Sequence, residues 1–434
     1  MGKPFEITYS PAQWSAPPGG IATQWANPYG GLNVQAPENC ISPAETPNVT
    51  NFMFRNAELR SRPAFGLYLP GPDGSNPILA VGSFLSKNLV WHTVAFTISG
   101  MFQLSGQAQI LISQGHNPWI RLGGPPLSSA NPVAIRTFQN ILYYTNGSGH
   151  LSAWDGSVGA PIQDVAFTGG TYPLPNNYAG ATYSSLFLGE LDSHLIMSYT
   201  TELTYTAGSV TASTTYPQRI RWSNIGFNPT LNNVFGGNLG TAGATWDTSI
   251  NLNAGSNDFL DVTDIITGQM FLGRMGYLFR QNGITEINPT GNGLAPFDFN
   301  HLWASEHGIG NVYPETIAQY GSYGAFISTD NIYQITPGNV NAIGKGARDA
   351  IMLDLSLAVA PPTACIVDSY ATYRVYLAYK LLIPMPDGST RIYLYSFEDA
   401  NWTRWSVSGV TMGTPVGCWI GDSQVTNQIL TTGR

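Results

Sequence analysis

Short, aromatic-rich strand pairs recur along most of this 434-residue chain, and each pair is closed by a turn. They lie near residues 85–100, 142, 195, 278, 326 and 376, so most are about 45 to 55 residues apart. Val, Ile, Tyr, Phe and Trp take alternate positions in these runs, which is typical of half-buried strands. The connecting sequences TNGSG, RQNG, STDN and MPDGS contain residues that tolerate positive φ, as hairpin turns require. The pattern predicts an all-β chain folded as a β-propeller of six blades.

The predicted propeller covers residues 66–434, and its one long gap is assigned to a loop insertion at about 200–258. The run AQILIS, residues 108–113, is assigned to a strand, and NAIGKGARDAIMLDLSLAV predicts a single short helix between two blades. The last stretch, VGCWIGDSQVTNQILTTGR, predicts a strand that closes the ring against the first blade, because an open ring leaves sheet edges unpaired. A β-helix or two stacked sandwiches would give a similar texture, so both stay open as alternatives.

Residues 1–65 differ from the rest of the chain. They are rich in Pro, Gly and Asn, and no hydrophobic periodicity holds for more than a few residues. We predict an irregular, extended N-terminal arm that is ordered only by lying against something else, such as a neighbouring subunit. The end of the arm, NVTNFMFRNAELRSRP, predicts one hairpin with its turn near Asn56.

Charged residues are scarce, at 10% of the chain where about 25% is usual. The polar surface is therefore made mostly of Ser, Thr, Asn, Gln and Gly. A formal net charge of −8 argues against a general phosphate-binding surface, which needs Lys and Arg. The N-terminus has no apolar signal-peptide core, and no run of 18 apolar residues occurs. We therefore expect synthesis in the cytoplasm without an export signal, and no membrane insertion.

Motifs for catalysis or metal binding are not evident. His301 and His307 are the only closely spaced pair of the six histidines, and they match no zinc motif. The carboxylates of Asp258, Asp261 and Asp264 lack the alternation of a calcium loop. The sequence contains no GxSxG nucleophile elbow and no Walker phosphate loop. We predict a protein that is not an enzyme, with no catalytic residue, no cofactor and no metal site.

Three cysteines, Cys40, Cys365 and Cys418, are too few and too widely spaced for a disulfide framework, although a Cys365–Cys418 bridge stays open. Aromatic residues make up 12% of the chain. We expect them to pack between blades, with stacking on sugars as the second interpretation. A carbohydrate-binding or carbohydrate-cleaving propeller, a lectin or a glycosidase, is therefore the alternative function. A cell-surface adhesion module is a third and weaker one, because it should carry an export signal.

Several ordered motifs resemble the β-propeller proteins of bacteriophage tails, namely the nozzle, hub or tail stabilisation proteins of short-tailed phages. The arm carries Gly31-Leu32-Asn33, Glu45-Thr46-Pro47, Asn51-Phe52 and Leu59-Arg60-Ser61-Arg62-Pro63, similar to the entry segment of that family. The stretches RIRWSNIG at 219–226 and FLDVTDIITGQMFLGRMGYLFRQNGITEI resemble later strands of the family. YGSYGAFISTDNIYQITPG and YRVYLAYKLLIPMPDGSTRIYLYSFEDANWTRW are similar to the blades that follow. The resemblance covers roughly residues 28–410.

This resemblance implies a structural virion protein. Family members form a ring, commonly a hexamer, that extends or closes the tail channel and anchors other tail proteins such as the adaptor and fibres. Genomic DNA would pass through the channel without specific binding, which an acidic balance favours. The resemblance implies localisation in the virion tail, and it places assembly contacts at Asn51, Arg60 and Arg62.

Overall fold

The computed structural model describes residues 31–35, 45–46, 50, 52–55, 58–61, 70–157, 163–164, 180–223, 253–302 and 307–432, apart from residues 75, 87, 149, 208, 261–263, 372–373, 408–414 and 423–424. Four short strands precede the blades: β1 (Gly31–Leu32), β2 (Glu45–Thr46), β3 (Phe52–Arg55) and β4 (Glu58–Ser61). Strands β1 and β2 pair in parallel, and β3 and β4 form an antiparallel hairpin.

Six antiparallel sheets of four strands each then follow along the chain. Blade 1 contains β5 (Ala80–Leu85), β6 (Trp91–Thr97), β7 (Gly100–Leu104) and β8 (Trp119–Gly123), with helix α1 (Ala108–Ser113) between its last two strands. Blade 2 contains β9 (Ala134–Phe138), β10 (Ile141–Thr145), β11 (Ser152–Trp154) and β12 (Gln163–Asp164). Blade 3 contains β13 (Gly180–Leu191), β14 (His194–Thr206), β15 (Ser209–Trp222) and β16 (Gly255–Asp258).

The second half of the ring repeats this arrangement. Blade 4 contains β17 (Ile266–Leu272), β18 (Met275–Arg280), β19 (Ile284–Pro289) and β20 (Phe297–His301). After a single 3-10 turn at Pro314–Thr316, blade 5 contains β21 (Ala318–Tyr320), β22 (Tyr323–Ile327), β23 (Ile332–Thr336) and β24 (Asn339–Ala342). Helix α2 (Arg348–Leu357) leads to blade 6, with β25 (Thr363–Ala371), β26 (Arg374–Pro384), β27 (Thr390–Ser396) and β28 (Asn401–Val407).

The sheets are arranged in a ring, because the first strand of each blade lies beside the first strand of the next. A terminal hairpin, β29 (Pro415–Asp422) and β30 (Val425–Thr432), lies between β25 of blade 6 and β5 of blade 1. The protein is therefore a six-bladed β-propeller, as the strand spacing predicts. The predicted closure of the ring by the last strands of the chain is also confirmed.

Hairpin turns inside the blades have the backbone twist that adjacent strands need. Gln139 and Asn140 both have positive φ in the two-residue turn between β9 and β10. Asp192 and Ser193 do the same between β13 and β14. Positive φ at both central residues is the type I′ geometry, whose twist matches that of the flanking strands. These short turns fold each repeat into an up-and-down sheet.

The hydrophobic core lies between consecutive blades. Five clusters of buried side chains each join two neighbouring sheets, from blades 1 and 2 round to blades 5 and 6. Between blades 1 and 2, the buried indole of Trp154 makes edge contacts with Phe84 and His92. Between blades 4 and 5, Phe279 and Phe326 lie 4.8 Å apart, centroid to centroid. Many of the aromatic residues thus pack between blades, as the sequence predicts.

Two local assignments are wrong. Residues 200–206, 209–222 and 255–258 of the predicted loop insertion form strands of blade 3, and residues 224–252 lie outside the described part of the chain. The Thr- and Ser-rich strand residues 209–216 show little hydrophobic alternation, because most of them are exposed on both faces of the sheet. The sequence pattern therefore indicates a loop. AQILIS is helix α1, because a short apolar run does not by itself distinguish helix from strand.

The described part of the arm packs against its own sixth blade. Leu32 is buried in the cluster that joins blades 5 and 6. The Val34 amide donates to the carbonyl oxygen of Gly346, at 2.7 Å. Gly346 has φ of 88°, and a Cβ there would lie 2.6 Å from the carbonyl oxygen of Leu32. Thr50 forms a parallel bridge with Arg404 of β28. These residues therefore lie against another part of the same chain, contact with a neighbouring subunit stays a prediction, and the hairpin near Asn56 is confirmed.

Helix α2, the predicted helix, is anchored to blade 6 by a buried carboxylate. Asp354 is 1% exposed, accepts a hydrogen bond of 2.6 Å from the Tyr393 hydroxyl and forms an ion pair with Arg391. Burial and the contact with Asp354 raise the pKa of Tyr393 above its usual range, so the hydroxyl remains a donor. Helix α2, which connects blades 5 and 6, is thereby attached to β27, the third strand of blade 6.

We expect Asp354→Asn to lower the free energy of unfolding by about 1–3 kcal/mol, because the ion pair is lost inside the protein. Urea denaturation followed by tryptophan fluorescence measures this change. Asp349→Asn is the matched control, since Asp349 is on the same helix, is exposed and lies 3.6 Å from Arg348. It should change stability by less than about 0.5 kcal/mol. Equal effects of the two substitutions would contradict the anchoring role.

Candidate assembly surface

Blade 3 is larger than the other blades. Its first three strands have 12, 13 and 14 residues. The short fourth strand, β16, pairs only with residues 219–222 of β15. The remainder forms a three-stranded sheet, made of residues 180–185, 200–206 and 209–216, which we call the blade-3 extension. Within the described residues, no strand pairs with the outer edge of β15 from Ser209 to Tyr216.

The outer strand of the extension is uncharged and exposed. Residues 203–216 contain no Asp, Glu, Lys or Arg, and every residue from Ser209 to Thr215 is exposed. β-Branched side chains are frequent here, which favours extended backbone. Thr201 and Thr215 share a hydrogen bond of 3.1 Å across β14 and β15, and Thr211 donates to the carbonyl oxygen of Thr204. Polar side chains thus support the ribbon where little hydrophobic core is available.

A backbone irregularity separates the extension from the body of blade 3. The register of β14 and β15 shifts between Ser198 and Thr200, where Tyr199 has φ of 56°. Pro217 lies opposite this shift and has no amide to donate to the ladder, which suits an irregular position. Such an irregularity increases local twist and reorients the strands beyond it.

Four charged side chains join the strands at the base of the extension. Arg219 binds both carboxylate oxygens of Asp258 at 2.6 Å and one oxygen of Glu202 at 2.9 Å. Arg221 binds the same Glu202 oxygen at 2.6 Å. The Arg219 guanidinium also lies 3.6 Å from the ring centroid of Tyr216, and that of Arg221 lies 4.2 Å from Tyr183. We call Glu202, Arg219, Arg221 and Asp258 the base network.

The base network carries no net charge, since two cations face two anions. Hydrogen bonding from Arg219 lowers the pKa of Asp258 below its usual range, and the pKa of Arg219 is raised by the same contact. The ion pairs connect β14, β15 and β16, and the contact of Arg221 with Tyr183 reaches β13. The network therefore fixes the angle at which the extension leaves blade 3.

We expect Arg219→Lys to lower the free energy of unfolding by about 1–2 kcal/mol, because an ammonium cannot reproduce the bidentate contact with Asp258 or stack on Tyr216. Thermal denaturation measures stability, and hydrogen exchange at residues 255–258 should increase. Arg136→Lys is the control, since Arg136 makes one longer contact of 3.3 Å with Glu190 and is half-buried. It should have little effect. Unchanged exchange in β16 would show that the network does not hold this strand.

The inner side of the extension rests on a histidine of blade 2. The Nδ1 atom of His150 lies 2.8 Å from the Thr182 hydroxyl, and its Nε2 atom lies 3.0 Å from the Tyr205 hydroxyl. Burial lowers the pKa of His150 from 6.5 to about 4. The folded protein therefore holds a neutral imidazole, with one nitrogen donating and the other accepting. This contact connects β13 and β14 to the neighbouring blade.

We expect acidification to weaken this contact. The unfolded chain takes up a proton at His150 below about pH 6.5, whereas the folded protein does so only near pH 4. The corresponding stability, about 1–3 kcal/mol, is complete above pH 6.5 and is lost as the pH falls toward 4. His150→Gln should therefore flatten the pH dependence of unfolding between pH 7 and 4.5, as measured by urea denaturation. His116→Gln, at an exposed position, should leave the slope unchanged, and equal slopes in all three proteins would contradict the assignment.

The assembly contacts predicted at Asn51, Arg60 and Arg62 remain predictions. Asn51 and Arg62 lie outside the described residues. Arg60 lies in β4 opposite Met53, and only its backbone is described. The sequence motifs RIRWSNIG and DFLDVTDI give no indication that Arg219 of the first binds Asp258 of the second. The R-x-R spacing was the available signal, because it puts Arg219 and Arg221 on one face of a strand and requires acidic partners on a neighbouring strand.

Asp264 and His301 have structural contacts. Asp264 accepts two hydrogen bonds from Asn282, and His301 lies within hydrogen-bonding distance of Arg280 and Thr285. Cys365 is a free thiol. Across the described part of the chain, no group of three or more His, Cys, Asp or Glu residues is placed to hold a metal ion. None of the described helices has the length and hydropathy of a membrane span.

No protein-family model matches the chain, and no curated protein matches it. Among solved structures, it is similar to PorZ, a bacterial surface component of the type-IX secretion system of Porphyromonas gingivalis, with 10% identity and a TM-score of 0.39. That match covers 85% of this chain but only 36% of PorZ. The SapL1 lectin in complex with alpha methyl fucoside matches at 11% identity and a TM-score of 0.33, over 82% of this chain and 89% of the lectin.

Apo AztD from Citrobacter koseri matches at 12% identity and a TM-score of 0.25, over 82% of this chain and 98% of AztD. At these identities, the comparisons concern the fold alone. The chain spans about a third of the length of PorZ. The comparisons therefore give no information on the role of the blade-3 extension or its base network.

Proposed function

We propose that this chain is a structural, non-catalytic protein of a bacteriophage tail. In this proposal, copies of the chain form a ring, with six subunits, that extends or closes the DNA channel. The ring anchors other tail proteins, such as the adaptor and fibres, and DNA passes through without specific binding. The observation that carries the proposal is the blade-3 extension, a sheet that is built on a propeller and has an outer edge with which no described strand pairs.

The physical properties of the chain support this role. Buried clusters join consecutive blades from the first to the sixth, and the terminal hairpin lies between the sixth and the first, which distributes mechanical load over many contacts. The uncharged outer strand of the extension offers backbone hydrogen bonds and Thr hydroxyls to another protein, and such contacts depend little on salt. A net charge of −8 disfavours tight binding to DNA, as a channel protein requires. The motifs from Gly31 to Trp405 that resemble tail propellers agree with the same interpretation.

The test is to image the purified protein by negative-stain electron microscopy and to label intact particles with a specific antibody. We expect closed rings with sixfold symmetry, and label confined to phage tails. A monomeric protein that binds or cleaves bacterial polysaccharide on a glycan array would instead support the carbohydrate alternative. Label on capsids or host envelopes, with no label on tails, would contradict the proposed location.

A further inference from the structure

We infer that the outer edge of β15, from Ser209 to Tyr216, pairs with the same edge of a second copy of this chain. The two β15 strands would run antiparallel about a twofold axis and join two three-stranded extensions into one six-stranded sheet. Such a contact is isologous, because each copy contributes the same surface. The inference rests on the same free edge as the proposed function and names a second copy as its occupant. A twofold contact differs from the head-to-tail contacts that close a ring, so the experiment below distinguishes the failure of one from the failure of the other.

The length of the free edge suits a strand as the partner. Along these eight residues, alternate positions direct their amide and carbonyl groups away from β14, and no described strand satisfies those groups. An antiparallel neighbour of equal length would form about eight backbone hydrogen bonds over roughly 27 Å. Backbone pairing of this kind is a common way for an exposed sheet edge to bind another polypeptide.

This edge lacks most of the features that keep exposed strands apart. Natural edge strands are usually short, or carry charged residues, Pro or a bulge. The outer strands of other blades follow that rule, since β8 carries Arg121 and β20 carries Asp298. Residues 209–216 have neither charge nor proline, and their one irregularity is a second register shift that leaves Thr211 without a partner on β14. Beyond that shift, residues 212–216 carry none of these features.

The charge distribution favours a second copy as the partner. The whole chain carries −8, so two copies repel each other across most orientations. The extension is an exception, because residues 203–216 are uncharged and the base network below them sums to zero. Two extensions can therefore approach without like-charge repulsion at the contact. A strongly charged partner would instead need residues of the opposite charge on this edge, and residues 203–216 contain none.

The side chains are compatible with twofold pairing. A register centred between Ala212 and Ser213 would put Val210 of each copy opposite Thr215 of the other. Cross-strand pairs of β-branched residues stabilise antiparallel sheets. Val210 is 51% exposed, so pairing would also bury apolar surface. In the same register, Ala212 of one copy lies opposite Ser213 of the other.

The test uses charge reversal at the centre of this contact. We expect wild-type protein to self-associate through a twofold contact in sedimentation velocity and mass photometry. Ala212→Lys with Ser213→Lys places like charges opposite each other on both faces of the sheet and should weaken that association by about tenfold or more. Ala212→Glu with Ser213→Glu should weaken it similarly. Mixing the Lys and Glu proteins should restore association, which a misfolded variant would not do.

Leu294→Lys with Val359→Lys is the matched control, because it adds the same charge at exposed positions away from β15. It should associate like wild-type protein. The inference is overturned if wild-type protein has no twofold contact, if the Lys variant associates as tightly as the control, or if the Lys and Glu variants fail to associate when mixed. Rings that persist in the Lys variant would support the proposed function independently, and dimers without rings would support only the inference about β15.

Discussion

Packing between the faces of adjacent blades is the interaction on which this structure depends. A four-stranded sheet standing alone would expose both of its apolar faces, and here each face is covered by the next sheet around the ring. Trp154 shows the principle, because its indole is fully buried only when Phe84 and His92 of the first blade lie against it. The first blade and the sixth need a neighbour as well, and the terminal hairpin β29–β30 lies between them. The ring must therefore close for the apolar faces of the first and sixth blades to be buried.

The outer strand of the blade-3 extension is held by different chemistry, because residues 209–215 are exposed and add little to the core. Hydrogen bonds and ion pairs at the base of the extension fix this strand to blade 3. Arg219 is central, since its planar guanidinium binds Asp258 through two nitrogen atoms while its face lies over Tyr216. His150 supports the other side as a neutral, doubly hydrogen-bonded ring. An uncharged edge that no described strand pairs agrees with the proposed role in assembly.

Some of the fold could be predicted because local patterns repeat. Runs such as ILYYT and YLFR are rich in aliphatic and aromatic residues, as strands buried on both faces require, and neighbouring turns contain residues that adopt positive φ. The terminal closure followed from the cost of unpaired edges. The extension escaped prediction because SVTASTTY is exposed on both faces and so carries no hydrophobic period. Arg219 and Asp258 were noticed separately, but 39 residues separate them in the chain, and no local rule pairs them.

The amino-acid sequence alone determined the class of the fold and its repeat, because strand alternation and turn chemistry are local properties that each segment carries with it. It also determined the low charge of the surface and the presence of a short helix before the sixth blade. The tertiary structure decided which strands extend beyond the ring, that the arm packs along its own sixth blade, and that Glu202, Arg219, Arg221 and Asp258 form one network. Those features depend on contacts between residues far apart in the chain, and their energies arise only when the ring brings the partners together.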